Sequence, residues 1–231
     1  MKRIFGFFTT FEWVLFALSC LVVTLPCFAP AHAPWFYPAA SLLGVLSLTL
    51  TAKGNVAGQV LMVAFSVCYG VISWSFSYYG EMITYLGMTL PVSVLAIVSW
   101  LRHPSEKGRS EVRVARLCAR DYAISFLLCV GVTALFFFIL RALGTPNLPA
   151  ATLSVFTSFA AVWLTVKRSP FYALAYAAND AVLIVLWVLA ARTDPSYWQM
   201  VACFAAFLLN DLYGLFNWHR IRRRQTGEES A

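Results

Sequence analysis

The stretch YAANDAVLIVLW, Tyr176 to Trp187, puts an amide and a carboxylate in the middle of an apolar run, and LLNDLYGLFNW, Leu208 to Trp218, repeats the Asn-Asp pair and again closes on Trp. A carboxylate within hydrocarbon costs several kcal/mol unless it faces protein, a partner or a water-filled cavity. Asp180 and Asp211 are therefore expected to point inward. Residues three, four and seven apart share a helix face. On that basis Tyr172, Tyr176 and Asn179 form one stripe, with Asp180 and Trp187 at its edge. A second stripe carries Asn210 and Tyr213, flanked by Asp211, and a third carries Asn55, Gln59, Met62, Ser66, Tyr69 and Ser73, with Trp74 next to it. Amides and carboxylates can hold ribose hydroxyls or a carboxamide, and flat rings can stack on a planar or cationic heterocycle. Asn, Ser and Gly also join membrane helices as packing groups, and for single residues both readings stand. Within the first pair Asn179 lies on the tyrosine stripe, whereas Asp180 is turned about 100° away by helix geometry and is free to brace a neighbouring helix.

The elements that would position these stripes follow from composition. The 231 residues are 61% hydrophobic and only 12% charged, with a mean hydropathy of +0.74, outside the range of soluble domains. An all-α integral membrane protein is expected. A bilayer core takes about 20 apolar residues per helix, and eight stretches qualify: roughly 11–30, 35–52, 55–77, 82–101, 120–142, 149–166, 170–191 and 197–218. With the N-terminus placed in the cytoplasm, 15 of the 17 Lys and Arg residues fall inside and only Arg141 and Arg192 outside. That is the positive-inside pattern for eight spans with both termini cytoplasmic. The net charge of +7 thus reports topology, and no nucleic-acid partner is expected. The basic N-terminal start and long apolar stretch read as a retained helix, since FAPAHAPW only loosely fits a cleavage site.

PAASLLGVLSLTLTAKGN from Pro38 is answered by PAATLSVFTSFAAVWLTVKRS from Pro149, VISW ending at Trp74 by IVLW ending at Trp187, and SWLRH at Trp100 by NWHRI at Trp218, with offsets of 111, 113 and 118. Spans two to four and six to eight therefore look like two copies of a three-helix unit. Span five returns the chain to the starting side, which makes the repeat parallel, about an axis along the membrane normal. The expected parts are an N-terminal helix (1–34), a first three-helix bundle (35–103), a basic loop and linker helix (104–146), and a second bundle with a basic tail (147–231).

Six single cysteines, Cys20, Cys27, Cys68, Cys118, Cys129 and Cys203, read as buried small hydrophobes. His32, His103 and His219 are too scattered for a metal site, and no cofactor is expected. The aromatic residues Trp35, Tyr37, Tyr78, Tyr79, Tyr197 and Trp198 fall at span boundaries and read as interfacial anchors. HExxH, GxSxG, P-loop and Rossmann patterns do not occur. The Asn-Asp pairs lack the glycine-flanked context of a membrane aspartyl protease, so a non-enzyme is expected.

FEWVLFALS near the start, GVLSLTLTAKGN in span two, YYGEMITYLGMTLPVSVLAIVSWLRH across span four, ANDAVLIVLW and LLNDLYGLFNW together resemble the PnuC family of bacterial vitamin transporters, whose best-known members carry nicotinamide riboside. The resemblance implies a SWEET-like fold of two three-helix bundles, usually a homotrimer in the inner membrane. It implies facilitated diffusion of an unphosphorylated nucleoside, trapped afterwards by cytoplasmic phosphorylation. It places the pocket between the bundles. Asn179 and Trp187 match the family's span-seven pattern. Asn210, Tyr213, Gly214 and Trp218 match that of span eight, and Tyr79, Gly80, Glu81 and Trp100 that of span four. Tyrosines such as Tyr172 stand where the family often has Trp before the span-seven Asn, and Thr84-Tyr85 where Asn often follows YGEM. The alternative expectation is a transporter of thiamine or another nucleoside-like vitamin, riboflavin or a deoxynucleoside, on the same fold.

Overall fold

The computed structural model describes residues 8–28, 34–105 and 111–229. Expectations resting on Lys2, Arg3, His32, Lys107 and Arg109, and on the side chain of Cys27, lie outside these residues. Eight helices follow in order: α1 Thr10–Thr24, α2 Phe36–Ala52, α3 Val56–Ser75, α4 Tyr79–Leu101, α5 Ala119–Ala142, α6 Leu148–Val166, α7 Tyr172–Ala191 and α8 Trp198–Glu229. Six of them, α3 to α8, are long and apolar enough to cross a membrane. The other two of the eight expected spans, α1 and α2, are shorter apolar helices of 15 and 17 residues. Beyond Thr24 the chain tightens into a 3-10 turn, Leu25–Phe28, where Pro26 cannot donate to the helical ladder. The last helix runs past its expected end at Trp218 to Glu229, carrying a polar extension beyond the apolar run.

Local signals account for the helix ends. Thr9 and Glu12 form a reciprocal cap on α1, and Asn55 caps α3 by accepting from the Ala57 amide. The turn between α2 and α3 needs a left-handed residue, supplied by Gly54 at φ +68°. The matching turn between α6 and α7 puts Arg168 there instead, at φ +55°. Pro91 has no N–H to give the preceding turn, and α4 widens into a π turn at Thr84–Thr89 just before it.

Six helices pack in a closed ring: α2 on α3, α3 on α4, α4 on α6, α6 on α7, α7 on α8, and α8 back on α2. α1 lies outside against α2 and α8, and α5 lies outside against α6. The outward faces are apolar, as α5 shows with Phe126, Leu127, Leu135 and Phe138 exposed, a surface suited to lipid. Segment 111–115 ties one end of the ring together: the Val112 amide donates to the Gly54 carbonyl and the Ala115 amide to that of Arg168. Gln225 on α8 holds the same segment through Glu111, Val112 and Val114. Two sets of sequence expectations change here. Tyr37 and Tyr78 are buried rather than interfacial, because Tyr37 hydrogen-bonds Ser75 and Tyr78 packs on Trp187. Cys129 and Cys203 are buried, Cys20 and Cys68 only half-buried, and Cys118 exposed at the start of α5.

α1 is fastened by an ion pair. Glu12, 1% exposed, accepts from Lys53 Nζ at 2.9 Å on both oxygens and from the Tyr213 hydroxyl at 2.7 Å. Removing one partner of a buried pair leaves a stranded charge, at a cost of about 3–5 kcal/mol. Lys53→Met is expected to lower the Tm in detergent by at least about 5 °C, and adding Glu12→Gln to restore most of it. Thermal melts of the two variants check this.

Candidate substrate site

All six ring helices contribute to one central cavity. Its lining is Leu48 from α2, Met62 and Phe65 from α3, Tyr85 and Thr89 from α4, Ser158 from α6, Tyr176, Asn179 and Asp180 from α7, and Phe207 and Asp211 from α8. Both Asn179 and Asp180 therefore reach the cavity despite the 100° between them on an ideal helix, because α7 is flanked by α6 on one side and α8 on the other. The Thr157 hydroxyl donates to Asn179 Oδ1 at 2.9 Å. Thr89 and Ser158 hydroxyls lie 3.4 Å apart across the α4–α6 contact.

Asp180 and Asp211 are 2% and 3% exposed and lie within hydrogen-bonding range of each other. One oxygen of each, together with the Tyr176 hydroxyl, is buried with no hydrogen-bond partner. Such orphaned groups are rare and costly in a finished core, and here three of them gather at one place. No Lys, Arg or His is among the described lining residues. The free volume is about 10 Å³, room for roughly one water molecule. Aromatic rings fill the rest. Phe207 meets Phe65 at 5.1 Å and occupies the notch left by Gly44, where a Cβ would come 2.1 Å from its Cζ.

Aromatic clusters close the cavity at both ends. Toward the basic end, the Trp100 and Trp218 rings stand 5.4 Å apart, and Tyr172 packs on Trp218. Trp100 donates to the Thr165 carbonyl and Trp218 to the Thr51 carbonyl, both at 2.9 Å. At the other end Trp187 donates to the Tyr69 hydroxyl at 2.9 Å and packs against Tyr78, Phe76 and Tyr197.

Of the residues singled out by sequence, the structure thus brings Met62, Tyr176, Asn179, Asp180 and Asp211 into the cavity, with Tyr172, Tyr69 and Trp187 in the flanking clusters. The others lie elsewhere. Gln59 donates to Thr51, Asn210 to Ser19 and Ala206, and Tyr213 to Glu12. Trp74 is 61% exposed beside Tyr79; one residue past buried Ser73, it turns off the inward stripe. Thr89, Ser158, Phe65 and Phe207 were not picked out beforehand, whereas Tyr85 was marked with Thr84 as a departure from the family pattern. Tyr85 had a signal as the ring next to Thr84, and Thr89 follows one turn later. Phe207 and Phe65 carry no polar pattern to mark them.

Comparison with known proteins places this geometry in context. A family model described as nicotinamide mononucleotide transporter matches residues 34–220. The nicotinamide riboside transporter PnuC of Neisseria mucosa is 25% identical over 235 residues, covering 98% of this chain and 88% of the relative. That of Haemophilus influenzae is 25% identical over 215 residues, covering 93% and 92%. In fold, the chain is similar to the crystal structure of the vitamin B3 transporter PnuC, with a TM-score of 0.82, 22% identity and 94% of each chain covered. A six-helix ring around a buried polar centre, with the family model matching residues 34–220 and relatives aligned along almost their whole length, shows that this multi-pass membrane protein belongs to the PnuC (nicotinamide mononucleotide transporter) family.

Proposed function

We propose that this chain takes up nicotinamide riboside across the bacterial inner membrane by facilitated diffusion, with cytoplasmic phosphorylation trapping the product. One observation carries the choice of substrate: among the described residues the cavity lining holds two carboxyls and no basic side chain. Such a site suits a cationic pyridinium and opposes a phosphate, which favours the riboside over the mononucleotide of the family's description. The relatives named as nicotinamide riboside transporters support the same choice. In this reading Asn179 meets the carboxamide or ribose, the aspartates face the pyridinium, and the rings of Tyr176 and Tyr85 flank it. The closed cavity must open by moving Phe207 or Phe65 before a nucleoside fits.

The parallel repeat is part of the proposal. Its support is the ring order, in which α2, α3 and α4 correspond to α6, α7 and α8, and the reciprocal Trp100–Thr165 and Trp218–Thr51 hydrogen bonds. Left-handed Gly54 and Arg168 occupy corresponding turns. The division into an N-terminal helix, two bundles and a linker at residues 34, 103 and 146 follows from it. A cytoplasmic placement of the basic end and both termini, and a homotrimer, complete the reading.

Purified protein titrated with nicotinamide riboside, nicotinamide mononucleotide, nicotinamide, thiamine, riboflavin and thymidine tests it. Saturable binding is expected for the riboside, weakened at least about tenfold, or roughly 1.4 kcal/mol, by the added phosphate. Binding of thiamine without the riboside would shift the assignment to another vitamin.

A further inference from the structure

Two carboxyls in contact, sealed from water and with no cation among the residues around them, pose a charge problem in a membrane. Like charges at that separation cannot both ionise, and an unpaired ion in hydrocarbon costs several kcal/mol. Resting on the substrate reading above, we propose that the Asp180–Asp211 pair is a proton-binding site from which a cationic nucleoside displaces one proton, so that substrate binding releases a proton.

The surroundings leave the pair little other means of neutralisation. The titratable groups facing it are Tyr85 from α4, Tyr172 and Tyr176 from α7, and Cys203 from α8. All are acids that are neutral when protonated, so none supplies positive charge. The linings from α2, α3 and α6 are Leu48, Met62, Phe65 and Ser158, which do not titrate. With both carboxyls protonated the pair is neutral, one O–H makes the carboxyl-to-carboxyl hydrogen bond, and the outer oxygens of both residues are left unpartnered, as they are found. When the pyridinium arrives beside the pair, its positive charge takes the place of one of the two protons, which leaves to water, while the other stays shared between the carboxyls and keeps them from both ionising. The charge of the occupied centre stays the same while one cation replaces another.

Calorimetric titration of nicotinamide riboside into the purified full-length protein, in phosphate and in Tris, counts the protons exchanged, because the two buffers differ in ionisation enthalpy. About one proton released per substrate is expected, with the apparent Kd falling by up to about tenfold per pH unit over the range in which the pair titrates. The neutral, reduced form of the riboside should bind without release. Asp180→Asn and Asp211→Asn together imitate the doubly protonated pair in shape and should abolish both release and pH dependence. Riboside binding with no proton release and a constant Kd from about pH 5.5 to 8.5 overturns the inference and leaves the transport function standing. Release that persists in the double variant also overturns it, by assigning the proton to another group. Absence of riboside binding at every pH removes the substrate reading and the inference with it.

Discussion

Replacing Asn179 by Leu is expected to reduce nicotinamide riboside uptake about 100-fold, within the range that losing 1–3 kcal/mol of a buried polar contact produces. The amide sits at the cavity wall with Oδ1 engaged by Thr157 at 2.9 Å. That bond distinguishes the two ends of the amide and leaves the NH2 end to donate toward a substrate oxygen. Leucine fills a similar volume without donating, so a bound carboxamide or ribose hydroxyl would lose its partner in a dry site. Folding should survive, because the Thr157 hydroxyl also lies in range of the Leu153 and Ser154 carbonyls of its own helix. Thr157→Val should cost only a few-fold, since it removes the orienting bond and not the donor. Initial uptake rates into proteoliposomes at limiting substrate check both, alongside thermal melts. Uptake by Asn179→Leu within threefold of the parent would remove this residue from the site.

The same residue shows what the sequence made legible. A polar pair in an apolar run carries an energetic signal strong enough to place Asn179, Asp180 and Asp211 inside the bundle, and hydropathy alone located eight helices to within a few residues over most of the chain. Two kinds of information were weaker. One-turn stripes state which residues share a face, but not which neighbour that face meets. Gln59, Asn210 and Tyr213 are inward-facing polar groups that end on Thr51, Ser19 and Glu12, and the partner lies on another helix in each case. Asn210 even belongs to the same repeated dipeptide as Asp211, yet it binds α1, an element with no counterpart in the second unit. Apolar rings were the other blind spot. Phe207 fills the cavity because Gly44 opposite it has no side chain, a complementarity that appears only once α2 and α8 are packed together. Helix length was likewise hidden at α1, where the apolar run continues but Pro26 breaks the ladder.

That dependence on bare backbone is most severe at Gly58, and Gly58→Ala is expected to destabilise the protein by about 3 kcal/mol or prevent its accumulation in the membrane. A Cβ there would lie 2.3 Å from Thr51 Oγ1, 2.5 Å from Thr51 N and 2.8 Å from the Ser47 carbonyl oxygen. Two of those three atoms belong to the backbone of α2, which cannot swing aside as a side-chain tip can. The close approach is also what allows Ser47 to donate to the Gly58 carbonyl at 2.8 Å. Small residues at membrane helix contacts permit this geometry, and packing rather than the hydrophobic effect drives association there. Forcing α3 away from α2 would also displace Met62 and Phe65, one and two turns further along and both in the cavity wall, so whatever protein survives should transport poorly. Gly131→Ala in α5 provides the control. No heavy atom lies within 4 Å of a Cβ at that position, and alanine is the better helix former by about 1 kcal/mol, so its melting temperature should hold or rise slightly. Equal losses in the two variants would mean that glycine acts through helix flexibility, and the α2–α3 contact would lose its role.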